Sequence, residues 1–260
     1  MLSLTANGRE LEYMWYGEPR ADRPTIVFLH EGLGCVSTWG DFPLLIAEAT
    51  SCRALSYSRA GYGGSDPTSL PWPLRFMHHE AMVTLPQVLE AVGVRQSILF
   101  GHSDGASIAL IHAATAKPGS VRAVIVEAPH VFVEDVTVQR IAALADEYFA
   151  GNLKSALERH HGRNVECAFW GWNTAWLDPT FRKWNIEEYL PRIEVPVLII
   201  QGENDEYGTT KQVEAIQRGV AGSVSKLIFP NCGHTPHRSR TQDLVNSVTS
   251  FISEHALLDS

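Results

Sequence analysis

The chain has 260 residues, 45% hydrophobic and 19% charged, with a formal net charge of −8 at pH 7. That length and apolar content suit one domain with a large buried core, and an acidic balance without a basic cluster argues against a nucleic-acid partner. No apolar stretch approaches the ~20 residues that a helix needs to cross a bilayer, so no membrane partner is expected. The four cysteines, Cys35, Cys52, Cys167 and Cys232, are scattered and lack metal-ligand spacing. Met1 to Thr5 carry neither the basic start nor the long apolar run of a secretory signal, so the expectation is a cytoplasmic protein with free thiols.

In chain order, Arg9 to Tyr16 alternates enough for an early antiparallel strand, and Thr25 to Leu29 reads as a buried strand. A helix follows from Trp39 to Ala49, then a strand from Ala54 to Ser58 and a helix from Leu74 to Val92. Ser97 to Phe100 is a buried strand, Asp104 to Ala116 a helix, and Val121 to Val126 a further strand. Strands alternating with helices mean a parallel sheet covered on both faces. Residues 129–191 break the rhythm. They hold Trp170, Trp172, Trp176 and Trp184, with helical patterns from Val138 to Phe149 and from Leu153 to His161. The alternation resumes with a strand from Val195 to Ile200, a helix from Thr209 to Val220 and a strand from Lys226 to Pro230.

Between the Ser97 strand and the Asp104 helix lies Gly101-His102-Ser103-Asp104-Gly105. A strand-to-helix turn this tight leaves no room for a Cβ at its outer positions, and the central serine is forced into strained geometry with its oxygen exposed. A serine hydroxyl is a weak nucleophile at neutral pH and needs an imidazole to take its proton, with a carboxylate to orient that imidazole. Both follow, each just past a strand. Gly202-Glu203-Asn204-Asp205-Glu206 follows the Val195 strand, and Asn231-Cys232-Gly233-His234 follows the Lys226 strand. Ser103, His234 and Asp205 are thus the candidate catalytic residues. Glu203, Glu206 and Glu127 compete for the acid, and His237 for the base. His30 and His102 read as buried scaffolding, and no role is assigned to His78 and His79.

Four motifs carry a resemblance. They are His30-Glu31-Gly32-Leu33-Gly34, Arg59-Ala60-Gly61-Tyr62-Gly63-Gly64-Ser65, the Ser103 turn, and the Asp205 and His234 loops. With them the chain resembles the α/β-hydrolase fold superfamily, in its serine-nucleophile branch of esterases and enol-lactone hydrolases, from Thr25 to about Ile252. The resemblance implies an α/β fold with a mostly parallel, eight-stranded, twisted sheet, helices on both faces, and a helical cap. The core would comprise 1–128 and 192–260, and the cap 129–191. It implies cleavage of small esters, lactones or thioesters through an acyl-enzyme on a Ser-His-Asp triad, with no cofactor and no metal. It favours Asp205 as the acid, by position after Gly202.

An oxyanion needs two backbone N–H groups, one from the residue after the nucleophile and one from the loop after the third strand. The first is that of Asp104. Aligned by Trp39, the second is that of Gly32, with Leu33 as the alternative. Glu31 then stands where the family commonly has glycine. A carboxylate there would oppose catalysis, so Glu31 is expected to point away and pair with Arg59. Asp104 is expected to favour its helix end, with contact to substrate or to His234 as the alternative. Trp170, Trp172 and Trp176 are the candidate substrate-binding aromatics. Two rival functions stay open: a carbon–carbon bond hydrolase of a diketone-like ring-cleavage product, anchored by Arg163, Arg182 or Lys183, and a non-catalytic receptor. An aspartate nucleophile, as in haloalkane dehalogenases or epoxide hydrolases, is excluded at the turn. The expected partner is a small-molecule substrate, and a homodimer stays open.

Overall fold

The computed structural model describes residues 2–20 and 22–255; Met1 and the last five residues of the expected core lie outside them. Eight strands form one sheet in the order β1-β2-β4-β3-β5-β6-β7-β8. They are β1 (Leu2–Ala6), β2 (Arg9–Tyr16), β3 (Thr25–Leu29), β4 (Ala54–Tyr57), β5 (Ser97–His102), β6 (Val121–Glu127), β7 (Val197–Gly202) and β8 (Val224–Phe229). β2 is antiparallel to both its neighbours, and every pair from β4 onward is parallel. The expected sheet is therefore present, with β1 as an addition that the sequence reading did not make.

The helices are α1 (Phe42–Thr50), α2 (Phe76–His79), α3 (Leu85–Ala91), α4 (Asp104–Thr115), α5 (Asp135–Phe149), α6 (Asn152–His161), α7 (Val165–Leu177), α8 (Thr210–Gly219), α9 (Pro236–Ser239) and α10 (Thr241–Glu254). The helix expected from Trp39 to Ala49 is split. Val36–Trp39 is a 3-10 turn, and Gly40 at φ +57° breaks it from α1. The helix expected from Leu74 to Val92 is continuous but passes through a π-helical stretch, Glu80–Thr84, just ahead of Pro86, which has no N–H to give.

Each sheet face has its own apolar layer. Ile26, Phe28, Phe100, Ile125 and Ile200 pack with α1 and α10 through Trp39, Phe42, Ile46, Val248 and Phe251. Val27, Leu29, Leu99, Val124 and Ile199 pack on the other side with α3, α4 and α8. Alternation along each central strand divides its side chains between the two layers, so these strands are buried throughout.

The chain between β6 and β7 holds α5, α6 and α7 and lies over the loops after β3 and β4. His161 fixes it there: its Nδ1 accepts the N–H of Gly63 at 3.0 Å, and its Nε2–H donates to the carbonyl of Leu33 at 3.0 Å. Asn164 donates to the carbonyl of Ser65 at 2.7 Å, and the α7 backbone at Gly171 lies against the Trp72 ring, where a Cβ would collide.

Candidate active site

Ser103 directly follows β5 and stands at the head of α4 with φ +53° and ψ −117°. A β-carbon at Gly101 would overlap the Gly105 carbonyl, and one at Gly105 would overlap the carbonyl of Leu29 in β3. Both glycines are therefore steric requirements of the turn. Positive φ on a serine costs on the order of 1–3 kcal/mol, held in place by the buried strand and helix on either side.

The carboxyl edge of the sheet brings the other expected groups to this turn. Asp205 lies past β7 and His234 past β8, and His234 Nδ1 is 2.8 Å and 2.9 Å from the two Asp205 carboxylate oxygens. Asp205 also accepts the N–H of Tyr207 at 2.8 Å and the amide of Gln201 at 2.7 Å. Burial alone would raise its pKa, but the His234 imidazole and these donors reverse the effect and hold it at about 2. Glu203 is exposed. Glu206, at the cavity mouth, accepts the His234 main-chain N–H at 3.3 Å. Neither meets the imidazole.

Glu127 and His237 form a separate pair. Glu127 accepts the His237 main-chain N–H at 2.7 Å and faces its Nδ1 at 2.9 Å, with both side chains sealed from solvent. His102, Glu127 and His237 place potential ligand atoms within 4.8 Å of one another. They do not form a ligand set, because both Glu127 oxygens serve His237 and His102 Nε2 serves the His234 carbonyl.

A cavity of about 210 Å3 opens over Ser103, lined by Gly32, Leu33, Trp172, Tyr207, His234 and Thr235, with Glu31, His102 and Glu206 completing it. The loop after β3 is held by its carbonyls. Arg59 donates to those of His30 (2.6 Å) and Glu31 (2.9 Å), and the Tyr62 hydroxyl donates to that of Gly32 (2.8 Å). In a planar trans peptide the next N–H points the opposite way, so the N–H groups of Gly32 and Leu33 face away from Arg59 and Tyr62. Both are without a partner among the described residues, and both residues line the cavity.

The expected Glu31–Arg59 pair is not formed. Arg59 is spent on main-chain carbonyls, whereas the Glu31 carboxylate lines the cavity with Oε2 3.5 Å from His102 Nδ1. The Asp104 side chain makes no cap bond with its own helix; its Oδ1 accepts the Trp176 indole N–H at 3.1 Å. Burial drives its pKa up to about 6, against the pull of Arg59 and of that indole.

Of the three expected aromatics, only Trp172 reaches the cavity. Its indole lies on Gly32, where a Cβ would collide with Nε1. Trp176 is held behind the site by Asp104, His130 and Phe181. Trp170 lies on the outer side, bonded to Glu166 and packed on Tyr148 and Phe149. Spacing explains Trp170, which lies on the opposite face of α7 from Trp172; Trp176 shares the face of Trp172, one turn further on, where Asp104 takes its indole N–H. Tyr207, which packs against His234 at a tilt of 42° with ring centroids 4.5 Å apart, was missed. So was His130, against Trp176 and with its pKa lowered to about 4, mainly by burial. Neither belongs to a motif.

The sequence model of the alpha/beta hydrolase family matches residues 26–247. The chain belongs to that family. It is 22% identical to a proline iminopeptidase of Lactobacillus helveticus, over 95% of this chain and 96% of that protein. Among solved structures it is similar to an enol-lactonase from Burkholderia xenovorans LB400, with TM-score 0.74, 19% identity and coverage of 97% and 100% of the two chains. An esterase from Rhodococcus sp. ECU1013 gives TM-score 0.75 and 19% identity over 97% and 98%. No helix among the described residues is long and apolar enough to cross a membrane.

Proposed function

We propose that this protein is a serine hydrolase of small neutral esters, lactones or thioesters, working through an acyl-enzyme. The observation that carries the reading is the strained Ser103 sharing one cavity with His234, whose Nδ1 is held by Asp205 at 2.8 Å. In this reading residues 129–191 are a cap over a core of 1–128 and 192–260.

The Ser103 hydroxyl oxygen attacks the substrate carbonyl while His234 Nε2 takes its proton. Asp205, bound at Nδ1, keeps Nε2 free to accept and then stabilises the imidazolium. The oxyanion receives N–H groups from Asp104 and Gly32, at the positive end of α4. His234 passes its proton to the departing alkoxide or thiolate, leaving the acyl group on Ser103. Water, deprotonated by His234, attacks that ester; the carboxylic acid leaves and the proton returns to Ser103.

The cavity's size supports a short acyl group, and its walls bear on charge. Glu31 and Glu206 line it with no lysine or arginine. The basic residues considered as anchors for a carboxylated diketone lie elsewhere: Arg163 faces Asp66, Arg182 pairs with Asp135 on the exposed side, and Lys183 is exposed outside the cavity lining. That arrangement favours ester cleavage over the carbon–carbon reading.

The test is hydrolysis of p-nitrophenyl esters from acetate to decanoate by the native protein beside Ser103→Ala, with fluorophosphonate labelling of both. The expected result is turnover and labelling confined to the native chain, best with short acyl groups. Neither turnover nor labelling in the native protein would overturn the reading in favour of a receptor.

A further inference from the structure

We propose that Glu31 and His102 form an ion pair that serves as a second positioning pair for His234, acting on its main chain while Asp205 acts on its ring. This rests on the serine-hydrolase reading above.

His102 is completely buried, and its Nε2 lies 2.8 Å from the His234 carbonyl oxygen. A carbonyl can only accept, so Nε2 carries a hydrogen. The other ring nitrogen, Nδ1, lies 3.5 Å from a Glu31 oxygen, within ion-pair reach, and makes no hydrogen bond. A bare Nδ1 lone pair turned on a carboxylate would be repelled, so the contact favours a hydrogen on Nδ1. Burial opposes the charge on Glu31, yet the facing imidazoles of His102, His30 and His237 outweigh it and keep the carboxyl well below its usual range. Glu31 is therefore a carboxylate, and the ring edge of His102 that faces it is the hydrogen-bearing one.

Asp104 faces Glu31 from α4, His160 and His161 face it from α6, and Glu206 shares the cavity from the loop after β7. Glu127 and His237 face His102 from β6 and α9, with ring centroids of His102 and His237 5.1 Å apart. His234 faces it from the loop after β8 at 5.0 Å, and His130 and Asp205 lie beyond. His30 and Arg59 stand behind Glu31, with Arg59 committed to its carbonyl. Glu127 and His237 already satisfy one another, which leaves Glu31 as the counter-charge of His102. The departure from glycine at position 31 thus has a use: its carboxylate is neutralised by a ring that also holds the loop of the base.

The measurement is kcat and KM against pH for a short p-nitrophenyl ester, with Glu31→Ala, Glu31→Gln, His102→Gln and the Glu31→Gln/His102→Gln double variant. Glu31→Ala is expected to lose about tenfold in kcat with KM little changed, since misplacement of a catalytic group costs rate rather than binding. Glu31→Gln, which still offers Nδ1 a partner, recovers most of that loss. His102→Gln leaves Glu31 uncompensated beside the base, favouring its protonated form, so the acid limb of kcat/KM moves up by about one pH unit. The double variant brings the limb back. An acid limb that stays in place in His102→Gln, or that the double variant fails to restore, overturns the proposal. If His102→Gln does not fold, the Glu31→Ala and Glu31→Gln pair decides, and equal kcat in both overturns it. Turnover surviving in Ser103→Ala would instead overturn the hydrolase reading itself.

Discussion

Two histidine–carboxylate pairs stand side by side at the carboxyl edge of this sheet, and their likeness is instructive. His234 Nδ1 is 2.8 Å from Asp205, and His237 Nδ1 is 2.9 Å from Glu127. Chemistry and distance nearly match, but surroundings differ. The His234 side chain keeps 10% of its surface open and lines the cavity of Ser103; His237 keeps 2% and packs against Trp39 and Phe42. A hydrogen-bonded imidazole is a base only where its second nitrogen can reach a reacting atom. Elsewhere the same pair is a buried strut.

The first way to break this comparison is to remove one member of each pair. His234→Ala should lower kcat by about 10^4 or more, and Asp205→Asn by ~10^3–10^4, measured on a p-nitrophenyl ester. Glu127→Gln should leave kcat within about threefold for the molecules that fold, yet cost on the order of 1–3 kcal/mol in urea unfolding, because the amide keeps one acceptor oxygen where the carboxylate served two groups of His237. A loss of turnover in Glu127→Gln as large as in Asp205→Asn would erase the distinction.

Acid–base behaviour sharpens it further. Asp205 is held at about 2, below the unfolded value, so the stability it contributes is complete above pH 4 and disappears as pH falls toward 2. Asp104 runs the other way. Its pKa rises to about 6 on folding, so the native state holds the extra proton between pH 4 and 6 and loses stability as pH climbs through that window. Asp104→Asn should flatten this loss, worth up to ~3 kcal/mol for a shift of this size, in melting temperatures taken from pH 4 to 7.

The smallest effects concern the tryptophans. Trp172→Phe should alter KM and acyl-length preference severalfold, because this ring floors the cavity at Gly32. Trp170→Phe, outside the cavity and partly exposed, should change neither kcat nor KM beyond twofold. Equal effects from both would contradict the assignment of Trp172 as the tryptophan of the pocket.

Much of this was legible without coordinates. Gly101 and Gly105 around Ser103 announced a strand-to-helix turn, because only glycine fits where two backbones meet. Apolar runs before Ser103, Asp205 and His234 placed all three at one sheet edge, because parallel strands put their following loops on the same side. Helix α10 has a clear pattern, with Leu244, Val245, Val248, Phe251 and Ile252 on one face, yet it is not among the helices expected from the sequence. Helix α7 has none: from Cys167 to Trp176 it is buried on most sides, and a helix apolar all round has no periodicity to read.

What the sequence by itself determined was local: which residues can turn, which stretches must be buried, and the order of serine, acid and histidine along the chain. Only the tertiary structure decided which partner each charge takes. Glu31 meets His102 rather than Arg59, Glu127 meets His237 rather than His234, and Trp176 meets Asp104 rather than the cavity. Steric rules act between neighbours in sequence, whereas these pairings are set by which loops the sheet brings within a few ångströms, and that distance is written nowhere along the chain.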